Sequence, residues 1–252
     1  MNSLIKVEHL KYKRTIAKKL LLTAPLFFIL VALLQSCFMP PEYAHSWSMV
    51  LALIYNWWPV LFIPLGSALL AGLVTNQEKR AGDYRAVLLH PISPVHVWLG
   101  KIVVLVYHML LTTFVLMGTT LAFGFITATG PVPWRKIFFG GLILWITALP
   151  QIPIQLWAAH AFGMFAGIAL GAAGLFGGVL AAQTPYWIYS PWSWPTRLMC
   201  PLIGVHPNGT FLPPADPLRS PTVIPVGVGL AIVSLVVVSL LTAVWFRGLE
   251  VR

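Results

Sequence analysis

Residues 137–182 read IFFGGLILWITALPQIPIQLWAAHAFGMFAGIALGAAGLFGGVLAA, 46 residues without one Asp, Glu, Lys or Arg. Built as a single helix at about 1.5 Å per residue, the run would measure about 69 Å, more than twice the roughly 30 Å of bilayer hydrocarbon. It must cross a membrane twice. The turn is expected near Trp157–Ala161, shortly after the helix-disturbing Pro150 and Pro153. Two spans follow from this, 137–156 and 161–182.

Working outward, four more apolar runs are long enough to cross: 20–39, 48–74 (interrupted by Pro59 and Pro64), 97–127, and the charge-free 222–246. The fold expected is all-α, a polytopic membrane protein of six transmembrane helices. Composition agrees. Of 252 residues, 58% are hydrophobic and only 9% charged, with a mean hydropathy of +0.84. A soluble domain carries about 25% charged residues and has far more solvated surface.

The net charge of +10 raises nucleic acid as a partner, but the basic residues flank apolar runs instead of forming one patch. With both termini inside, twelve Lys and Arg fall on inner segments and four (Arg135, Lys136, Arg197, Arg219) on outer ones. That asymmetry sets the expected orientation. Leu34-Gln35-Ser36-Cys37 after a basic start loosely resembles a lipoprotein signal, yet five further spans follow, so an uncleaved first helix is expected. Cys37 and Cys200 are too few for a disulfide framework or a thiolate zinc site; one bridge between them is left open.

Catalytic signatures are missing. Gly100-Lys101 lacks both the earlier glycine and the following Ser/Thr of a phosphate loop, and neither an HExxH helix nor a nucleophile elbow is present. The seven histidines do not pair at i, i+4. The expectation is no catalytic residue, no metal and no cofactor on this chain. All six carboxylates (Glu8, Glu42, Glu78, Asp83, Asp216, Glu250) are expected in loops or termini, which argues against an ion-driven carrier. Energy for transport would come from another subunit.

Three groups of residues are candidates for function. Between spans two and three, Ala81, Tyr84, Val87 and Leu88 share one face of a short helix that ends before Pro91. Lys79, Arg80, Asp83 and Arg85 flank that face. It suits either a groove on a soluble partner or a lipid surface. In span five, Gly163, Gly167 and Gly171 recur every four residues, followed by Gly174 and Gly178. Such a stripe lets backbones approach closely, within this chain or at a subunit interface. His108, Trp192 and Trp194 are candidates for substrate contact, with core packing and an interfacial aromatic belt as the alternatives.

The pattern Glu78…Gly82…Arg85…Leu88-Leu89…Pro91…Trp98-Leu99-Gly100-Lys101 resembles the loop of type-2 ABC exporter permeases. The opening Glu8-His9-Leu10-Lys11-Tyr12-Lys13-Arg14-Thr15, Gln151-Ile152-Pro153-Ile154-Gln155-Leu156 and the Pro191–Pro195 segment are similar to the lantibiotic-immunity permeases within that group. The resemblance implies one transmembrane domain over 1–252, with an amino-terminal elbow at 1–19 and an extracytoplasmic loop at 183–221. It implies a coupling helix that takes force from an ATPase subunit through Glu78, Arg80, Tyr84, Arg85, Val87 and Leu88.

Two copies of that ATP-binding subunit, holding ATP and Mg, and a second permease or a homodimer are the implied partners, in contact with membrane lipid and a peptide substrate. The implied role is expulsion of lantibiotic or similar antimicrobial peptides from a bacterial cytoplasmic membrane. Alternatives are a type-2 exporter of another drug, peptide or lipid-linked molecule, and an ATPase-independent carrier or sensor scaffold. The elbow's own apolar pattern is poor, since Leu4, Ile5, Leu10 and Ile16 do not form a stripe.

Overall fold

Prolines and one glycine decide where the apolar runs become separate helices. The computed structural model describes residues 2–12, 15–38, 46–82 and 93–249. In chain order the helices are α1 (Asn2–Lys11), α2 (Ile16–Thr23), α3 (Phe27–Phe38), α4 (Trp47–Trp57), α5 (Ile63–Arg80), α6 (Pro94–Thr127), α7 (Trp134–Ala148), α8 (Gln151–Phe162), α9 (Met164–Ala182), α10 (Ser193–Ile203) and α11 (Val223–Leu249). Two isolated bridges, Ser46 with Thr129 and Val205 with Phe211, are the β-type pairings among the described residues.

Among the described residues, five stretches are long and apolar enough to cross a membrane: Trp47–Arg80, Pro94–Thr127, Trp134–Phe162, Met164–Ala182 and Val223–Gly248. Lys19–Leu34, in the first run, is a shorter apolar helix. Pro25, which supplies no N–H to a ladder, marks the turn between α2 and α3. Pro59 and Pro64 act differently from expectation. They do not break the second span. Trp58–Phe62 instead forms a π-helical turn that passes directly into α5. Such turns absorb a missing i→i−4 bond without ending the helix.

The long uncharged run divides at Gly163, just beyond the expected window. Its φ of +95° is a backbone conformation that favours glycine. Gly163 donates to the Ala159 carbonyl and accepts from the Gly167 N–H, so one residue ends α8 and starts α9. Pro150 produces only a turn within the continuous Trp134–Phe162 stretch.

Two apolar clusters lie toward opposite ends of the bundle. One gathers Val50, Leu51, Ile54 and Tyr55 of α4, Leu144 of α7 and Leu198 and Met199 of α10. Within it the Tyr55 hydroxyl donates to the Ile137 carbonyl at 2.6 Å. The other gathers Tyr12, Leu70, Val74, Trp98, Ile102, Leu156 and Phe246. The 183–221 segment, expected as a loop, carries α10, whose Trp194, Leu198, Met199 and Cys200 are buried. The expected aromatic belt divides accordingly, with Trp187 and Trp194 inside and Tyr186 and Tyr189 exposed.

Candidate functional site

The second cluster encloses charge. Lys101, in the second turn of α6, is 0% exposed, while Glu8 of α1 and Glu78 of α5 are 3% and 5% exposed. The Lys101 ammonium donates to Glu8 Oε2 at 2.9 Å and also to Glu78 Oε1. Lys11 donates to Glu8 Oε1 and Glu78 Oε1, each at 2.7 Å. Two carboxylates and two ammonium groups thus close a ring joining three helices. Gln77 Nε2 adds a bond to the Lys11 carbonyl at 3.2 Å, satisfying a C-terminal acceptor of α1.

Glu78 departs from the expectation that every carboxylate lies in a loop or terminus, since it stands in the last turn of α5; Glu8 is in the amino-terminal segment as expected, but buried. Leu4, Glu8, Lys11 and Tyr12 stand at i, i+4, i+7 and i+8, a single face of a helix. That face sets the ionic Glu8 and Lys11 between Leu4 and Tyr12, so hydrophobic periodicity alone does not mark it. The signal available was the spacing of the elbow's single acid, Glu8, relative to Lys11 and Tyr12.

Electrostatics follow from burial. Burial works against the Lys11 ammonium, but its hydrogen bonds to Glu78 and Glu8 outweigh that and hold its pKa above the ordinary lysine value. Burial, reinforced by the charges of Glu8 and Glu78, pushes the Tyr12 phenol well up. Removing one member of such a ring strands an uncompensated charge, at a cost of about 3–5 kcal/mol.

The start of α6 is held from two sides. Leu4 of α1 lies against Gly100, where any Cβ would displace it. Trp98 donates from Nε1 to Thr242 Oγ1 of α11 at 3.0 Å and stacks on Phe246 with ring centroids 4.7 Å apart. The Trp98-Leu99-Gly100-Lys101 stretch is therefore a docking platform for α1 and α11. His160 closes the same aromatic group, 5.3 Å from Phe246 and 5.7 Å from Trp98.

The other sequence candidates scatter. Tyr84, Arg85, Val87 and Leu88, with the expected coupling helix, lie outside the described residues. Glu78 and Arg80 end α5; the first is buried in the ring and the second is exposed. His108 is buried beside α1, with Nδ1 2.7 Å from the Val104 carbonyl and its ring stacked on Tyr12 at 4.5 Å.

Gly167 meets Ala159, and Gly171 meets Ala68 and the Pro64 carbonyl. Gly174 and Gly178 meet Trp192. The four glycines after Gly163 therefore receive groups of this same chain. Trp194 is buried and donates from Nε1 to the Ile188 carbonyl at 3.2 Å, which leaves Trp192, over the glycines, nearer the surface. Cys37 is exposed, Cys200 is buried, and both are free thiols. Among the described residues no group of three metal-ligating side chains comes together.

Residues 4–178 match the family described as ABC-2 family transporter protein, a match that runs from the elbow through the glycine stripe and includes the ion ring. The chain belongs to the ABC-2 transporter family. No curated protein and no solved structure matches it. It is a multi-pass membrane permease component of an ABC-2 type transporter, and ABC-2 permeases pair with ATP-binding subunits. Members of the family are typically non-catalytic, with ATP acting in the partner.

Proposed function

We propose that this permease exports lantibiotic or similar antimicrobial peptides, and that two ATP-binding subunits drive it through the connection between α5 and α6, with Glu78, Arg80, Tyr84, Arg85, Val87 and Leu88 as the coupling residues. The observation that supports the coupling is the ring itself. Residues 83–92 connect α5 to α6, and the buried contacts among Glu78, Lys101, Glu8 and Lys11 bind the two flanking helices to each other and to α1. A push on this connection would reach α5, α6 and the elbow together, because separating them breaks buried ion pairs.

In this reading Tyr84, Val87 and Leu88 seat on the ATP-binding partner, with Arg80 and Arg85 beside them. A second permease or a second copy completes the transporter, and both termini face the cytoplasm of a bacterial cell. The peptide class rests on the family resemblance of the opening segment, Gln151–Leu156 and Pro191–Pro195. A cationic amphipathic peptide held at the outer leaflet by apolar burial is a fitting cargo.

The test pairs two measurements. Tyr84→Asp and Leu88→Asp should abolish peptide resistance and peptide-stimulated ATP hydrolysis in the reconstituted complex, while membrane insertion stays normal. Resistance at the wild-type level from both variants would overturn the coupling. ATP hydrolysis that responds to drugs or lipid-linked molecules but to no lantibiotic would overturn the cargo and leave the coupling standing.

A further inference from the structure

A cavity of about 380 Å³ lies within this single chain, walled by α2 and α3, the π turn, α5, α6 and α7. Its volume is in the range of ligand sites, roughly 300–1,000 Å³. The lining is almost wholly apolar, including Leu21, Phe27, Trp58, Phe62, Leu70 and Trp145. The polar side chains that reach it are already engaged. Ser67 donates to the Pro64 carbonyl, Thr112 to His108, Thr113 to Met109, and Trp145 Nε1 to Val106. An occupant gains nothing there from hydrogen bonding and must be apolar itself.

Where it opens narrows the source. Phe27 lines the cavity and is 49% exposed, on a helix whose neighbouring Leu26 and Leu30 are also exposed. On a membrane-spanning bundle that apolar flank faces hydrocarbon, so entry is from the bilayer. The π turn shapes the wall beside Phe27, stacking Trp58 on Phe62 with ring centroids 5.1 Å apart. Such turns recur at functional sites. Charge bears on the other end of the occupant. Lys19 is exposed and immediately precedes Leu20, at the elbow end of the cavity, in a chain of net charge +10. A basic group at that position attracts anionic headgroups.

We propose that the cavity holds one acyl chain of an anionic phospholipid drawn from the leaflet on the elbow side, with its headgroup at Lys19. The lipid would be a structural tenant wedged between the first span and α5, separate from the exported cargo.

Gly66 makes the test direct. It lines the cavity, and a Cβ there meets nothing within 4 Å. Gly66→Leu would therefore grow into the cavity and also remove a glycine from a helix interior. The probe is phosphatidylglycerol bearing a diazirine near the end of one acyl chain, in phosphatidylethanolamine vesicles containing the full-length protein.

Wild-type labelling should concentrate on peptides carrying Phe27, Phe62 and Trp145, above that at the exposed α11 residues Val236 and Leu240. Gly66→Leu should cut the cavity label about tenfold, since each methylene kept out forfeits a factor of roughly four. Label on α11 should not change. A phosphatidylcholine version of the probe should label the cavity less than the anionic one, and Lys19→Glu should erase that difference. Cavity labelling no stronger than α11 labelling in the wild type overturns the proposal, and this reading needs no variant to fold. So does cavity labelling unchanged in Gly66→Leu, an anionic preference unchanged in Lys19→Glu, or labelling of these residues by a photoreactive peptide and not by the lipid.

Discussion

The two ends of this bundle are closed by different chemistry. At the elbow end, α1 is fastened by charges: Lys101 and Lys11 bridging Glu8 and Glu78. At the other end, α10 is fastened by shape, with Trp194, Leu198, Met199 and Ile203 in an apolar cluster and Ser193 Oγ bonded to the Trp187 and Ser190 carbonyls. A shape-based closure tolerates substitutions that keep volume, because its energy is spread over many weak contacts. A charge-based one does not. Its strength depends on every member being present, and that all-or-none character suits the proposed transmission of force from a partner.

The sharpest way to break the contrast is a near-isosteric change at each end. Lys101→Met keeps most of the side chain's length but leaves Glu8 and Glu78 sharing only Lys11. It should cost about 3–5 kcal/mol, seen as a large fall in thermal stability in mild detergent. Neutralising the partners as well, in Lys101→Met/Glu8→Gln/Glu78→Gln, should recover most of that loss. If the single change were as harmless as the triple, the ring would not be an electrostatic unit.

At the other end, Trp194→Phe should lose about 1–2 kcal/mol, from the bond to Ile188 and some contact area. A loss as large as that of Lys101→Met would erase the distinction. Smaller still is Tyr12→Phe. The Tyr12 hydroxyl is buried without a hydrogen-bond partner among the described residues, so its removal should change stability by less than about 0.5 kcal/mol or raise it slightly. A marked loss would expose an unrecognised partner of the ring.

The two thiols provide the gentlest probe. Burial pushes the Cys200 thiol up to about 11, despite the nearby Arg197. At pH 8 it is therefore both covered and protonated, whereas Cys37 is exposed. A water-soluble maleimide should modify Cys37 alone until the protein is unfolded. Rapid reaction of Cys200 would show that α10 opens readily.

Much of this architecture is legible in the sequence. Length against bilayer thickness divides 137–182 in two, and the structure has two apolar stretches there that are long enough to cross, parted at Gly163 close to the expected turn. The second run is one apolar stretch, as its length implies, but its prolines do not interrupt it, because a proline's lost hydrogen bond does not say whether the chain will end its helix or relax into a π turn. α10 is not legible as a helix in the sequence, because its Pro and Trp content suits an interfacial loop equally well as a packed helix. The substrate candidates His108 and Trp194 illustrate the same gap. Each is a polar-tipped ring whose role depends on its neighbour, and for His108 that neighbour is Tyr12, 96 positions earlier.

What the sequence determined by itself is therefore one-dimensional: where the chain is apolar for long enough to cross hydrocarbon, and that no nucleotide-binding motif accompanies it. These are properties of consecutive residues measured against a fixed thickness. Only the tertiary structure decided that Glu8 would meet Lys101 and Glu78, and that five helices and a π turn would leave a cavity between them. Coulomb pairing and packing act through space between residues far apart in the chain, and no local spacing records which distant groups will share a buried site.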